Sequence, residues 1–407
     1  MLHFLEKYAE LAIKVGVNIQ PNQTLWVNAP IHAVDFIRLV VKKGYEAGAK
    51  HVHVEWQDEG CTRLKYDLAP NEAFHEYPVW RAKALEEIAQ GGGAYLFVQS
   101  EDPELLKGVD AERITAYSKA AGVALKTWRE YITTHRMSWS IVAAPSIPWA
   151  KKVFPHLGEQ EAVEALWNAI FTATRADQDD PVANWEKHNA TLREKVQYLN
   201  HKQYKKLHYK APGTELTVEL PKGHLWHGGA TKNEIGILFN ANMPTEEVYT
   251  SPVKYGTKGV VHSTKPLSYQ GNLIENFWIK FENGRIVEYQ AEKGHETLKA
   301  MIEIDEGAHY LGEIALVPHH SPISSSNLIY YNTLFDENAS SHLAIGNSFA
   351  SCLEGGSTMS KEQLAKVGLN DSITHVDFMI GSAEMDIDGE TEDGKREAVF
   401  RRGNWAF

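Results

Sequence analysis

The sequence predicts two domains: an α/β N-terminal domain with a mostly parallel sheet, residues 1–209, then an α+β C-terminal domain, residues 210–407. Three observations lead there. Strand-like and helix-like periodicities alternate through the first half, as in a parallel sheet covered by helices. Near residue 210 the texture changes to short alternating runs and tight turns. An apolar share of 43%, with 11 Trp, 17 Tyr and 14 Phe in 407 residues, supplies core for more than one domain.

The elements follow in order. Residues 4–15 have the spacing of an amphipathic helix, and residues 24–27 form a short strand. Residues 33–47 place Val34, Ile37, Val40 and Val41 at helical spacing, and the strand 51–55 follows. Residues 94–98 and 138–143 read as buried strands with a helix over 110–131 between them, and helices 159–173 and 182–200 close the domain. In the second half, residues 214–219 alternate as a strand. Strands 277–281 and 286–290 flank Asn283-Gly284, a hairpin signal because both positions tolerate positive φ. Around residues 375–379, Val376 and Phe378 alternate with His375, Asp377 and Met379.

Composition removes several function classes. Lys plus Arg is 41 against 53 Asp plus Glu, a net charge of -12 that opposes sequence-independent binding to a polyanion, so no nucleic-acid partner is expected. The pairs Lys42-Lys43 and Lys205-Lys206 read as solvated helix faces. Two cysteines, Cys61 and Cys352, make neither a disulfide framework nor a four-cysteine zinc site, and a cytoplasmic location is expected. Glu6, Lys7 and Glu10 interrupt the first apolar residues, so no signal peptide is expected, and no run is long enough for a membrane span. The chain also has no G-x-G-x-x-G after a first strand, no G-x-x-x-x-G-K-[ST], no G-x-S-x-G and no H-E-x-x-H.

What remains is a dispersed set of carboxylates and imidazoles in the second half. His375 and Asp377 share a face if their run is a strand, although an H-x-D alone reads as a polar face. Glu313 opens the apolar run GEIALV, where a lone charge reads as a solvated strand end. Glu246 and Glu247 follow Pro244-Thr245; an extended chain points them opposite ways, so at most one serves a given centre. The segment 331–346, YNTLFDENASSHLAIG, carries His342. If Asn338 caps a helix, His342 lies in its first turns and Phe349 lies on the same face two turns on.

Taken in order, NMPTEEVYT at 242–250, GEIALV at 312–317, the segment around His342 and THVDFMIG at 374–381 resemble the thermophilic aminopeptidase family of metallopeptidases, M29, over the whole length. The resemblance implies a metal-dependent aminopeptidase that releases N-terminal residues from short peptides with a metal-activated water, working as a homodimer. It implies two divalent ions per subunit, zinc or cobalt first and manganese or magnesium next. Their ligands would be Glu247, Glu313, His342, His375 and Asp377 in the second domain. Five such ligands suit two hard-to-borderline ions, and three carboxylates leave one positive charge for an oxyanion. Glu313 would also be catalytic, and Glu246 beside a ligand would shuttle the proton. The resemblance alone selects Glu247 over Glu246 as the ligand. One position departs: the family usually has a tyrosine counted with the metal site where this chain has Phe349. Two other readings stay open, a dinuclear hydrolase of another bond (an amidohydrolase or phosphoesterase) and a non-catalytic peptide- or metal-binding relative.

Overall fold

The computed structural model describes every residue from 1 to 407 except 101, 270 and 271. The chain divides into two compact units: Met1–Lys187 with Ala230–Pro244, and His188–Gly229 with Thr245–Phe407.

The first unit is built on β1 (Thr24–Pro30), β2 (His51–Gln57), β3 (Ala94–Gln99) and β4 (Trp139–Ala143). They pair in the order β2-β1-β3-β4, all parallel. Each crossover is helical, as the alternating periodicities require. The helix Val34–Glu46 buries Phe36, Ile37, Val40 and Gly44, and Glu159–Ala173 buries Leu166, Ile170 and Phe171. The single helix expected over 110–131 is instead two, Ala111–Ala124 and Lys126–Thr133. The chain turns at Leu125, whose side chain is buried in a cluster with Trp26, Leu85 and Met137. Tertiary burial of one leucine thus overrides continuous helical spacing.

The second unit holds two antiparallel sheets. The larger runs in the order Leu267–Tyr269, Asn272–Glu282, Thr257–His262, Thr214–Glu219, Lys206–Ala211, Asp386–Glu390, Arg396–Arg401, Asn404–Trp405, with Arg285–Lys293 also on Asn272–Glu282. Asn283 (φ 47°) and Gly284 (φ 79°) make the turn of the expected hairpin. Lys206 is not on a helix: it opens a strand, faces Glu219 across the hairpin and pairs with it at 2.7 Å.

The smaller sheet contains β5 (His227–Gly228), β6 (Val248–Thr250), β7 (Leu311–Leu316), β8 (His342–Gly346) and β9 (His375–Met379), ordered β9-β8-β7-β6-β5. One face supplies Val248, Ile314, Leu316, Leu343, Ile345 and Phe378 to the core of the unit. The strand period of two sends the intervening residues to the other face.

Candidate metal centre

That other face collects the polar residues. Across β7, β8 and β9, Glu313 opposes Ala344, Ala315 opposes His342, Ala344 opposes Asp377 and Gly346 opposes His375. Directly opposed residues share a face, so Glu313, His342, His375 and Asp377 converge on it. Tyr249 of β6 opposes Ala315, and Glu247 two residues earlier has the same parity. Between the large side chains stand Ala315 and Ala344, each with only a methyl group.

Two expectations are corrected here. His342 is on a strand, not in a helix capped by Asn338; the chain makes short helical turns at Thr333–Asp336 and Glu337–Ala339 and is extended from Ser340. Asn338 is buried and works as a brace, accepting from the Glu246 backbone N–H at 2.7 Å and donating to Leu334 O at 3.1 Å. Glu313 is not a solvated strand end, because it lies mid-strand and is 4% exposed.

The donor atoms form two overlapping groups, Glu247–Glu313–His342 and Glu313–His375–Asp377, each with its atoms within 4.8 Å of one another. Glu313 belongs to both. His342 Nε2 lies 3.3 Å from Glu247 Oε2, 3.8 Å from Glu313 Oε1 and 4.0 Å from Asp377 Oδ1. His375 Nε2 lies 3.2 Å from Glu313 Oε2 and 3.4 Å from Asp377 Oδ1.

Each imidazole is oriented from behind. His342 Nδ1 sits 3.1 Å from Ser340 O, and His375 Nδ1 sits 2.8 Å from Asn347 O. A carbonyl only accepts, so Nδ1 carries the proton in both rings, and each Nε2 is turned toward carboxylate oxygens. A neutral ring would then set a lone pair against lone pairs, which is unfavourable unless a cation or a proton lies between them. Nδ1 held by a carbonyl with Nε2 free is the arrangement of metal-binding histidines. The donor chemistry therefore fits divalent ions.

The electrostatics say the same. Burial pushes the His342 imidazole down, but the bond to Glu247 and the charges of Asp377, Glu247 and Glu313 outweigh it and lift its pKa to about 10. His375 is likewise pushed down by burial but lifted to about 11 by Asp377 and Glu313. Burial and the neighbouring Asp377 and Glu247 charges raise Glu313 to about 7, against the pull of His375. Asp377 moves the other way: burial opposes its charge, yet His375 and His342 hold it below its ordinary range.

Glu246 points away from this cluster. Its carboxylate lies 3.7 Å from His188 Nε2, whereas that of Glu247 faces His342, as alternation of an extended chain requires. Both are buried. Sequence reasoning missed Glu337. Burial and the charges of Glu247, Asp377 and Glu313 push its carboxyl well above the usual range, and it lines a pocket of about 60 Å³ with Asp377, Tyr331 and Asp336. No periodicity links a residue on a short turn to the strands it faces, so only its place in the segment before His342 marked it. Tyr249 was missed as well. Burial and the charges of Cys352, Glu247, Glu313 and Glu337 raise its phenol well above the ordinary value.

Residues 2–405 match the family described as Thermophilic metalloprotease (M29). The chain belongs to that family. The M29 chain is 59% identical to Aminopeptidase AmpS of Bacillus subtilis (strain 168), over 99% of this chain and 98% of the relative. It is 47% identical to Aminopeptidase T of Thermus thermophilus, over 98% of each, and 43% identical to Aminopeptidase PepS of Streptococcus thermophilus, over 99% and 98%. Its fold matches the solved wild-type AmpT from Thermus thermophilus with a TM-score of 0.93 at 45% identity, covering 99% of both chains. The resemblance drawn from the four motifs thus holds over the full length. M29 membership makes the chain a metalloprotease, so it uses a divalent metal.

Proposed function

We infer that the chain is a metal-dependent aminopeptidase acting on peptides, with its metal centre on the polar face of β6–β9. One observation carries the assignment of the centre. Two donor groups share the Glu313 carboxylate, and both histidines turn Nε2 into them. A shared carboxylate supports two ions per chain, with Glu247 and His342 on one and His375 and Asp377 on the other. Glu337, whose carboxyl feels the charges of Glu247, Asp377 and Glu313, is a further carboxyl that would complete either set. The mixed carboxylate and imidazole set favours zinc or cobalt, with manganese or magnesium next.

Divalent ions bound there would supply Lewis acidity to the scissile carbonyl, acidify the attacking water and attract the free α-amine. The chain's own groups do the rest. Ser340 O and Asn347 O hold the two imidazole planes, and Asn338 pins the backbone ahead of Glu247. Burial keeps bulk water from the carboxylates, which strengthens each charge in the cluster. Glu246, expected to carry the proton, turns its carboxylate toward His188 and away from the cluster, so this geometry does not support that role. The two free cysteines support a cytoplasmic setting, and the family resemblance supports a homodimer and short peptide substrates.

Leucine-p-nitroanilide assayed with and without added metal tests this reading. Metal-dependent colour release is expected. Activity only on phosphate esters or non-peptide amides would favour another hydrolase, and metal binding without turnover of any of these would mark a non-catalytic relative.

A further inference from the structure

Phe349 brings an apolar ring to the edge of the charged cluster, 4.9 Å from the His375 ring and 38% exposed. A phenyl group donates no hydrogen bond. Its other aromatic neighbour does. The Tyr249 ring lies 5.9 Å from Phe349 at 67° and 5.9 Å from His227, so it is held between two rings. Tyr249 is the only tyrosine in the five strands of the site sheet. Its register partner Ala315 is also the partner of His342, so one methyl group separates the phenol from the metal-binding row. Among the described residues, its hydroxyl has no hydrogen-bond partner. A donor placed on the site face and not used by the fold is available to a ligand.

We propose that the Tyr249 hydroxyl donates a hydrogen bond to the carbonyl oxygen of the scissile bond, which makes Tyr249 a catalytic residue of this centre. The proposal rests on the aminopeptidase reading above. As water attacks, the carbonyl oxygen gains negative charge, and a fixed donor aimed at it binds the transition state more tightly than the substrate. No proton leaves the phenol; the hydrogen bond shortens and then relaxes as the amine departs.

Tyr249→Phe in the metal-loaded enzyme removes one oxygen atom. The kcat on leucine-p-nitroanilide should fall about 100-fold, the cost of one oxyanion donor, with KM, metal content and melting temperature unchanged. Incorporating 3-fluorotyrosine at 249 keeps the donor and should keep most of the parent turnover. A variant with near-parental kcat overturns the proposal, as does a loss of turnover that tracks loss of metal. So does loss of turnover in the fluorotyrosine protein while it retains metal and fold. The parent enzyme is the control: an inactive parent sinks the aminopeptidase reading and this proposal together, whereas an active parent with an unaffected variant sinks this proposal alone.

Discussion

Two histidines held by carbonyls and facing carboxylates must carry either protons or metal at Nε2. In metal-free protein they carry protons, since their folded pKa values of about 10 and 11 lie far above the roughly 6.5 of an unfolded chain. The sign follows. The folded state binds the extra protons, so this stabilisation is fully present below about pH 6.5 and is lost as pH rises through the folded values. The metal-stripped protein should therefore melt at progressively lower temperature from pH 7 to 10, while the loaded protein, whose Nε2 atoms hold metal, should not show that loss. Scanning fluorimetry at stepped pH distinguishes them, and identical profiles would sink the assignment of these histidines. Glu313, common to both donor groups, is the position whose charge matters most. Glu313→Gln should lower turnover at least about 100-fold and reduce bound metal, because even outer-sphere partners of metal ligands are worth 10 to 100-fold. Near-normal turnover with full metal would make Glu313 structural. Much of this was legible in the sequence, but unevenly. Period-two alternation alone paired His375 with Asp377 and sent Glu246 and Glu247 opposite ways. His342 needed the family resemblance, and no periodicity gave Glu337 or Tyr249 a place at the site.

The strands explain where reading the chain failed. Residues 338–346 run from polar to apolar and give an apparent helix start, yet all of His342–Gly346 is buried in the middle of a sheet. A short central strand has no exposed face to reveal a period of two, so it cannot be told from a buried helix segment. The surface hairpin at Asn283-Gly284 and the helix Glu159–Ala173 were legible because turn chemistry and amphipathic spacing are local. Gly346 tests the strand directly. It has φ 109°, and a Cβ there would meet Thr374 O at 2.2 Å, immediately before His375. Gly346→Ala should cost about 1–3 kcal/mol from backbone strain and weaken metal retention by displacing β9. Chemical unfolding and metal analysis report the two effects; an unchanged midpoint would show that the β8–β9 junction tolerates the movement.

For the whole molecule, the chain leaves the first unit within the helix Pro181–Lys202 and returns to it for Ala230–Pro244. The change of texture near residue 210 marks the onset of antiparallel strands, which is a local property. A return over forty residues is a long-range property, and no composition shift announces it. The parallel order β2-β1-β3-β4 lies between these cases: helix-strand alternation required parallel pairing, but not that order. The metal should matter to the whole fold as well as to turnover. Ions bound only by the folded state stabilise it by mass action, so chelation should lower the melting temperature and abolish peptidase activity, and zinc, cobalt or manganese should restore both in part. Full activity in a verified metal-free preparation would refute metal dependence. The most direct measurement is anomalous diffraction from crystals grown with cobalt. Two peaks per chain are expected, one among Glu247, Glu313 and His342 and the other among Glu313, His375 and Asp377. A single peak, or peaks away from these side chains, would show that the two donor groups do not form a dinuclear centre.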